Sequence, residues 1–338
     1  MAQRTALITG ITGQDGGYLA QLLHAQSYRV VGVTRRTTAN ARDRLPEDVR
    51  DLELVGADLL DQASLFSIVE RVQPDEIYNL AAQTFVPASW QQPLLTAEVT
   101  GLGLARLLEA VRLLCPTARV FQASSSEMFG VAASSPQNEA TPFHPRSPSG
   151  TSKLFAHWTA TNYRESYGLF VASGIMFNHE SPRRGAEFVT RKISRAVAHI
   201  AHGLESTLTL GNLDARRDWG YAPDFARAMH AMLQTGEPHD LVIATGESHS
   251  VREFCETAFA LIGRDWQRHV IVDPALFRSA EVEALVGDAS RAENILGWRP
   301  TTRFPDLVKD MVEADLNLLS PVTEAQRALT GSQPRSSR

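Results

Sequence analysis

A glycine-rich turn between the first predicted strand and the first predicted helix limits the folds that are open to this chain. A buried strand is predicted at Thr5–Thr9, and Gly10, Gly13 and Gly16 follow it at once, before a helical pattern over 17–26. Glycines in such a turn let the backbone approach a pyrophosphate, and the N-terminus of the helix faces its charge. Because another strand pattern follows the helix, the segment is predicted to be a βαβ unit that binds a dinucleotide.

The same alternation of strand and helix patterns continues along the chain. Further strands are predicted at 29–34, 52–56, 76–80, 118–123 and 170–177, and helices at 62–72, 101–114 and 151–168. This order predicts an α/β protein with a Rossmann-type, doubly wound parallel sheet. Loops rich in Arg, Gly, His and Pro follow, with short helices at 190–202 and 251–262, which predicts a smaller C-terminal substrate-binding lobe.

We therefore expect two interleaved domains and a tail. Residues 1–177 are assigned mainly to the dinucleotide-binding domain, 178–319 mainly to the substrate-binding lobe, and 320–338 to a flexible tail without apolar periodicity. The tryptophans at 90, 158, 219 and 298 are expected to be packing residues.

Composition excludes several classes of function. The chain has 338 residues and a net charge of -5, with its basic residues scattered, which argues against a general nucleic-acid surface. Cys115 and Cys255 are the two cysteines, and no His/Cys cluster has metal-ligand spacing, so neither a metal site nor a disulfide framework is expected. No leader and no membrane-spanning stretch is recognised, so the expected compartment is the cytoplasm.

The end of the second strand indicates which dinucleotide binds. An acidic residue there would mark NAD, but the chain has Thr34-Arg35-Arg36, and guanidinium groups fit the 2′-phosphate of NADP. The alternative is that Arg35 and Arg36 are solvated. After the third strand, Asp58 and Leu59 are placed to contact adenine, although a turn-capping role for Asp58 is equally consistent with the sequence.

Several longer blocks carry a family resemblance. They are Ile8-Thr-Gly-Ile-Thr-Gly-Gln-Asp-Gly16, Tyr78-Asn-Leu-Ala-Ala-Gln83, Ser125-Ser-Glu-Met-Phe-Gly130, Pro142-Phe-His-Pro-Arg-Ser-Pro148, Phe177-Asn-His-Glu-Ser-Pro-Arg-Arg-Gly185, Phe188-Val-Thr-Arg-Lys192 and Gly211-Asn-Leu-Asp-Ala-Arg-Arg-Asp-Trp-Gly220. On these blocks the chain resembles the GDP-mannose 4,6-dehydratases, a group of extended short-chain dehydrogenases/reductases, from residue 2 to about residue 317.

The resemblance implies an internal redox cycle on a GDP-sugar. NADP+ takes a hydride from sugar C4, the 4-ketone acidifies the C5 proton, water leaves from C5 and C6, and the hydride returns at C6. Ser125, Ser126 and Glu127 match the family's Thr-Ser-Glu triplet, in which the carboxylate is the acid/base at C5 and C6. Lys153 matches the lysine that binds the nicotinamide ribose.

Ser149 departs from the family pattern inside an intact block. A tyrosine is expected four residues before Lys153, where the ammonium would lower the phenol pKa and make tyrosinate a usable base. Three explanations are open. A natural enzyme could use Ser125, a relayed water or His144 for the C4 proton, the substitution could have been engineered to trap substrate, or the protein could bind without efficient turnover.

The resemblance also implies the remaining site residues. For the cofactor they are Gly10, Thr12, Gly13, Gln14, Asp15, Gly16, Arg35, Arg36, Asp58, Leu59, Leu80, Ala81, Ala82 and Lys153. For the nucleotide sugar they are Gln83, Asn178, Arg184, Val189, Lys192, Arg217, Arg278 and Glu281, in which the arginines are suited to bidentate phosphate contacts.

Other functions stay open on the sequence alone. A nucleotide-sugar 4-epimerase would reduce the transient 4-ketone again from its opposite face. The presence of Glu127 mildly disfavours an epimerase function. A net reductase would consume NADPH. The family's oligomeric arrangement places the segment 37–42 in contacts between subunits, so a homodimer or homotetramer is expected.

Overall fold

The computed structural model describes residues 3–35, 39–277 and 284–320. The strands are β1 Thr5–Thr9, β2 Arg29–Thr34, β3 Glu53–Gly56, β4 Glu76–Asn79, β5 Arg119–Ser125, β6 Val171–Met176, β7 Asn178–Glu180, β8 Leu208–Leu210, β9 Arg216–Arg217, β10 Trp219–Tyr221, β11 Asp240–Ile243, β12 His249–Ser250, β13 Val270–Val272 and β14 Ala284–Leu285.

Twelve α-helices alternate with these strands in the described ranges. They are α1 Gln14–Ala25, α2 Ala39–Arg42, α3 Gln62–Val72, α4 Val86–Gln91, α5 Pro93–Thr96, α6 Gly103–Leu114, α7 Pro148–Tyr167, α8 Val189–Ala201, α9 Ala222–Met232, α10 Val251–Ala260, α11 Ser290–Leu296 and α12 Phe304–Leu319. A π-helical segment, Ala97–Leu102, leads into α6.

Seven strands form one parallel sheet in the order β11-β6-β5-β4-β1-β2-β3. The order runs outward from β1 in both directions, so the predicted Rossmann-type sheet is confirmed. Sequence patterns found six of the strands and missed β11, which lies beyond residue 177 and adds to the edge next to β6. The strands β3 and β4 are equally short, but they lie within the regular alternation of strand and helix patterns, whereas Asp240–Ile243 lies beyond it among loop patterns.

Alternating side chains of the strands build a core on each face of the sheet. Ala6 and Ile8 pack with residues of α1 and α9, whereas Leu7 between them packs with residues of α3, α6 and α7. The same two-residue alternation separates Tyr78 from Ile77 on β4. Strands buried on both faces explain the nearly continuous apolar runs of the sequence.

A row of polar side chains crosses the carboxyl ends of three neighbouring strands. Thr9, Asn79 and Gln122 face one another in register on β1, β4 and β5, and each is at most 3% exposed. The Thr9 hydroxyl donates to Asn79 Oδ1 at 2.8 Å, and Asn79 Nδ2 donates to Gln122 Oε1 at 2.7 Å. The backbone N–H groups of Leu80 and Ala81 donate to Thr9 Oγ1, each at 3.1 Å. This row, called the Thr9–Asn79–Gln122 row below, aligns the loops that follow the three strands.

The chain forms two compact units that are interleaved in sequence. The described residues of the first are 3–179, 217–248 and 284–302, with its gap at 36–38, and those of the second are 180–216, 249–277 and 303–320. In the second unit, α8, α10 and α12 pack together, and β8 pairs with β13 in parallel. Arg191 and Ser194 on α8 both contact the Asp315 carboxylate on α12, at 2.8 and 2.7 Å.

Of the four tryptophans that were expected to be packing residues, two are not. Trp219 and Trp298 are buried, but Trp90 and Trp158 are more than half exposed, so the expectation was wrong for both. Their helices α4 and α7 turn these side chains outward, which residue type alone does not reveal. Among the described residues, no helix is long and apolar enough to cross a membrane.

Thr9→Val tests the Thr9–Asn79–Gln122 row. Valine keeps the branched shape but leaves the N–H groups of Leu80 and Ala81 without their acceptor, so we expect a loss of about 2–4 kcal/mol in the free energy of unfolding. Thr5→Val on the same strand is the control, because no described residue hydrogen-bonds to the Thr5 hydroxyl. Equal losses in urea denaturation of the two variants would contradict the assigned role of Thr9.

Candidate active site

The glycine turn after β1 is closed so tightly that side chains are excluded. Gly10 has a φ of 73°, and a Cβ there would lie 2.9 Å from Ala81 N. A Cβ on Gly16 would lie 2.5 Å from both Gly10 O and Ile11 Cα. Gly13 is the N-cap of α1 and supplies no side-chain cap, and the N-terminus of a helix favours an anion. The turn therefore fits a dinucleotide pyrophosphate.

Asp15 and His179 form an ion pair next to this turn. His179 Nε2 lies 2.9 Å from Asp15 Oδ2, and His179 Nδ1 lies 2.7 Å from the carbonyl oxygen of Phe177. A carbonyl only accepts, so Nδ1 donates, and when Nε2 also donates to the carboxylate the ring is an imidazolium. The ring stacks on Phe225 with centroids 4.5 Å apart. His179 thus holds the Asp15 carboxylate next to the turn where the pyrophosphate is expected.

The loop after β4 carries Leu80, Ala81, Ala82 and Gln83. Its first two N–H groups are held by Thr9, as described above. The Gln83 N–H donates to Thr100 Oγ1 at 3.1 Å, and Gln83 Oε1 accepts from Thr96 Oγ1 at 2.6 Å. The π-helical segment before α6 therefore anchors Gln83, whose amide nitrogen is the part of the side chain left for a ligand.

The turn after β5 carries the predicted acid/base. Ser125 caps a short 3₁₀ turn, because its Oγ accepts from the Glu127 N–H at 3.2 Å. Ser126 is buried and the Glu127 side chain is half-buried. A Cβ on Gly150 would lie 2.7 Å from the Glu127 carbonyl oxygen, so the first turn of α7 packs directly on this turn. Glu127 and the N-terminus of α7 are thereby brought together.

Helix α7 presents Ser149 and Lys153 on adjacent turns. Ser147 caps the helix by accepting from the Gly150 N–H at 3.0 Å, and Pro148 occupies its first turn. Both Ser149 and Lys153 are buried, at 5% and 8% exposure. Lys153 Nζ donates to the carbonyl oxygen of Ala123 at 2.5 Å. Burial lowers the pKa of Lys153 to about 8, an effect that the Asp15 carboxylate partly offsets.

The residues predicted to bind the adenosine half of the cofactor differ in exposure and in their contacts. Arg35 is exposed at the end of β2. Asp58 Oδ1 accepts from the Leu60 N–H at 3.0 Å, so the carboxylate caps a turn, which was one of its two expected roles. The Leu59 side chain is buried in the core, where it packs so closely on Gly103 that a Cβ there would lie 2.9 Å from it. A ligand could therefore contact only the backbone of Leu59. Arg36 lies outside the described residues.

The predicted substrate residues fall in both units. Asn178 and the buried Arg217 belong to the first unit. Arg184, Val189 and Lys192 belong to the second unit, at and before the start of α8. Lys192 Nζ donates to the carbonyl oxygen of Thr209 at 2.7 Å, and the Arg184 guanidinium lies 3.6 Å over the Phe188 ring. Arg278 and Glu281 lie outside the described residues.

Three residues with site-forming contacts were missed from the sequence. They are His179, which holds Asp15, and the pair Asn79 and Gln122 of the Thr9–Asn79–Gln122 row. A signal for the last two exists, because each is a buried amide inside an otherwise apolar strand, where an unpaired amide would be costly. For His179 no such signal exists, since its partner is 164 positions away in the chain.

No metal centre is formed by the residues that the structure describes. No group of three or more His, Cys, Asp or Glu side chains in these ranges is placed to hold an ion. The chemistry of the site must be argued from the carboxylate, hydroxyl and amine groups named above.

The sheet, the glycine turn and the lysine on α7 define an extended short-chain dehydrogenase/reductase with a nicotinamide cofactor. The family model described as GDP-mannose 4,6 dehydratase matches residues 7–311. The chain belongs to the GDP-mannose 4,6-dehydratase family.

Curated relatives match nearly the whole chain. GDP-mannose 4,6 dehydratase 2 of Arabidopsis thaliana is 50% identical over 94% of this chain and 88% of its own length. The GDP-mannose 4,6-dehydratase of Vibrio cholerae serotype O1 is 46% identical over 94% of each chain. The human GDP-mannose 4,6 dehydratase is 46% identical over 94% of this chain and 92% of its own length.

Solved structures share the fold. The UDP-glucose 4-epimerase of Thermus thermophilus in complex with NAD superposes with a TM-score of 0.80 at 26% identity, over 92% of this chain and 98% of its own. The RMD protein of Pseudomonas aeruginosa complexed with NADPH has a TM-score of 0.80 at 24% identity, over 94% of this chain and 100% of its own.

Gly16→Ala tests the glycine turn. The added methyl group meets backbone atoms that cannot rotate away, so we expect the affinity for the dinucleotide to fall at least about tenfold. Gly236→Ala is the matched control, because a Cβ there has nothing within 4 Å. Isothermal titration with NADP+ measures both variants, and an unchanged Kd for Gly16→Ala would contradict the assignment of this turn.

Proposed function

We propose that the protein dehydrates GDP-mannose to a 4-keto-6-deoxy sugar with NADP as its cofactor. The observation that carries the proposal is the meeting of the glycine turn, the Ser125–Glu127 turn and Lys153 at one edge of the first unit's sheet. The curated relatives named above, whose names give this reaction, support the choice of substrate.

The first unit contains the groups that would hold the cofactor. Gly10, Gly13 and Gly16 leave room for the pyrophosphate at the start of α1, and Lys153 is proposed to bind the nicotinamide ribose. Arg35 is proposed to face the 2′-phosphate, because its guanidinium follows β2 where an acid would favour NAD. When bound, the nicotinamide supplies hydride acceptance at sugar C4 and hydride return at C6.

Glu127 is proposed to move the protons at C5 and C6. A ketone at C4 acidifies the C5 proton, and the carboxylate takes this proton and then delivers one to the C6 hydroxyl as it leaves as water. The packing of Gly150 against the Glu127 backbone holds this turn beside α7, and the one carboxylate is proposed to serve both carbons. Ser125, which fixes the Glu127 backbone, is proposed to donate a hydrogen bond to the C4 oxygen.

The second unit is proposed to bind the nucleotide sugar. Its Lys192 and Arg184 are cationic groups suited to the GDP diphosphate. Arg217 belongs to the first unit and stays a predicted substrate residue. We further propose a cytoplasmic homodimer or homotetramer. The two buried free cysteines support a reducing compartment, and the family's subunit contacts support the assembly.

The direct test is mass spectrometry of GDP-mannose incubated with the protein and NADP+. Loss of one water, with no net change in absorbance of the nicotinamide, is expected. An isomer of unchanged mass, separated from GDP-mannose by chromatography, would establish a 4-epimerase instead. Stoichiometric consumption of NADPH in a parallel incubation with the reduced cofactor would establish a reductase.

Glu127→Gln should abolish most of the turnover. Glutamine keeps the size and the backbone bond to Ser125 but cannot exchange a proton, so we expect kcat to fall by about 10²–10⁴, with NADP+ affinity unchanged. Glu165→Gln, at an exposed position on α7, is the matched control. Retained activity in Glu127→Gln would remove this carboxylate from the mechanism.

Arg35→Ala should change the cofactor preference. Loss of a charge-assisted contact of about 1.5–3 kcal/mol weakens NADP+ binding by about 10- to 100-fold and leaves NAD+ binding unaffected. Titrations with both nucleotides measure the effect, and Arg50→Ala at another exposed position serves as the control. Equal loss for NADP+ and NAD+ would exclude a 2′-phosphate contact.

A further inference from the structure

Ser149 and Lys153 share one buried face of α7. They are four residues apart on a regular helix, which places their side chains on the same side one turn from each other. At 5% and 8% exposure, both are sheltered from bulk water. A serine hydroxyl and an amine are therefore the two exchangeable-proton groups at the position where the family has a tyrosine and a lysine.

This face lies against the turn that carries Glu127. Gly150, the neighbour of Ser149, packs closely on the Glu127 carbonyl oxygen. The Lys153 amine donates to the carbonyl oxygen of Ala123, which precedes Ser125 by two residues in the chain. Ser149 and Lys153 therefore lie beside the turn that carries the proposed acid/base Glu127.

The Lys153 amine is suited to accept a proton. In its neutral form it can donate one N–H to the Ala123 carbonyl and still present a lone pair, which the ammonium lacks. Burial lowers the pKa of Lys153 to about 8, so about a tenth of the amine is neutral at pH 7. Buried lysines with lowered pKa values act as general bases for this reason.

We propose that Ser149 and Lys153 act as a proton-accepting dyad that replaces the tyrosine of the family. The Ser149 hydroxyl takes the proton of the sugar C4 hydroxyl while it passes its own proton to the neutral amine of Lys153. The inference rests on the proposed dehydration and names the base for its first step.

The protons and electrons of this step balance over the whole cycle. The O–H bond at C4 breaks as its proton reaches the dyad, and the C4=O bond forms as the C4–H bond breaks; a bound nicotinamide would take this hydride. Glu127 converts the C5 proton and the C6 hydroxyl into water. As the hydride returns to C6, the ammonium of Lys153 supplies, through Ser149, the proton that C5 takes up.

Other groups at the site are less suited to this role. The Ser125 hydroxyl accepts from the Glu127 N–H, and no described basic side chain is hydrogen-bonded to it. His144 is exposed, and its backbone, through its N–H and carbonyl, bonds to Phe129 and Val131. His157, one turn beyond Lys153, contacts Ser124 Oγ at 3.1 Å, and burial lowers its pKa below the ordinary value.

The charged groups that face Lys153 come from several elements. Asp15 on α1 raises its pKa against the effect of burial, and Asp15 is itself paired with His179 beyond β6. Glu127 lies on the turn after β5, and His157 lies on α7. Removal of the Asp15 charge is therefore expected to lower the pKa of Lys153 further.

The first test is the pH dependence of kcat for dehydration. Since the base is a neutral amine with a pKa of about 8, kcat should rise about tenfold from pH 7 to pH 9 and then level off. Lys153→Arg keeps the charge but cannot accept a proton, and Ser149→Ala removes the relay, so each should lower kcat about 10²-fold or more and flatten the profile.

The second test measures Lys153 directly, without turnover. The chain contains three lysines, Lys153, Lys192 and Lys309, so ¹³Cε-lysine NMR gives few signals, and Lys153→Arg identifies the one of interest. Lys153 should titrate near pH 8, and Asp15→Asn should move that midpoint to lower pH. This readout uses the unmodified fold and does not depend on a variant keeping its activity.

The outcomes separate the dyad from the proposed function. A rising profile that Ser149→Ala and Lys153→Arg abolish, with a matching NMR midpoint, supports the dyad. Three results would overturn the dyad and leave the dehydratase assignment intact. The first is turnover by Ser149→Tyr but not by the unmodified chain. The others are a change in kcat of less than threefold in Ser149→Ala, and an NMR midpoint of Lys153 near pH 10. Absence of water loss by both the natural chain and Ser149→Tyr overturns both.

Discussion

The Thr9–Asn79–Gln122 row is the interaction on which the site depends. One threonine hydroxyl and two amides join the carboxyl ends of β1, β4 and β5, and these are the strands whose loops carry the glycine turn, Gln83 and Glu127. The row then reaches α7, because the Gln122 amide and the Lys153 amine both donate to the Ala123 carbonyl oxygen. Buried hydrogen-bonded groups of this kind have no alternative partner in the core, so they hold the three loops in one arrangement.

The Asp15 carboxylate interacts with both His179 and Lys153, and burial strengthens these electrostatic interactions. Asp15 would repel a phosphate at the start of α1, but His179 lies 2.9 Å from it, and the same carboxylate favours the ammonium of Lys153. The Asp15 carboxylate therefore contacts His179 and also raises the pKa of Lys153 against the effect of burial. A family member that lacks tyrosine can use this link, because the amine is already held near the point at which it gains and loses a proton.

Replacing tyrosine with serine changes which side chain of α7 finally accepts the proton. In the family pattern the lysine stays charged and lowers the phenol pKa, whereas the proposed dyad requires the amine to be neutral for part of the time. The two arrangements therefore demand opposite protonation states of Lys153 at the start of the reaction. Burial at 8% exposure, with one carbonyl acceptor, permits either state at a modest cost in free energy.

The sequence by itself determined the parallel sheet, the glycine turn and the family, because local periodicity and short motifs encode them. Helix α3 begins and ends where predicted, while α1 and α7 each begin three residues earlier than predicted. The turn glycines hide the start of α1, whereas Ser147 and Pro148 are start signals for α7 that apolar periodicity does not include. Only the tertiary structure decided that β11 joins the sheet, that His179 meets Asp15, and that Trp90 and Trp158 are exposed. Each of these depends on partners distant in the chain or on the side of a helix that faces the core, which residue type does not specify.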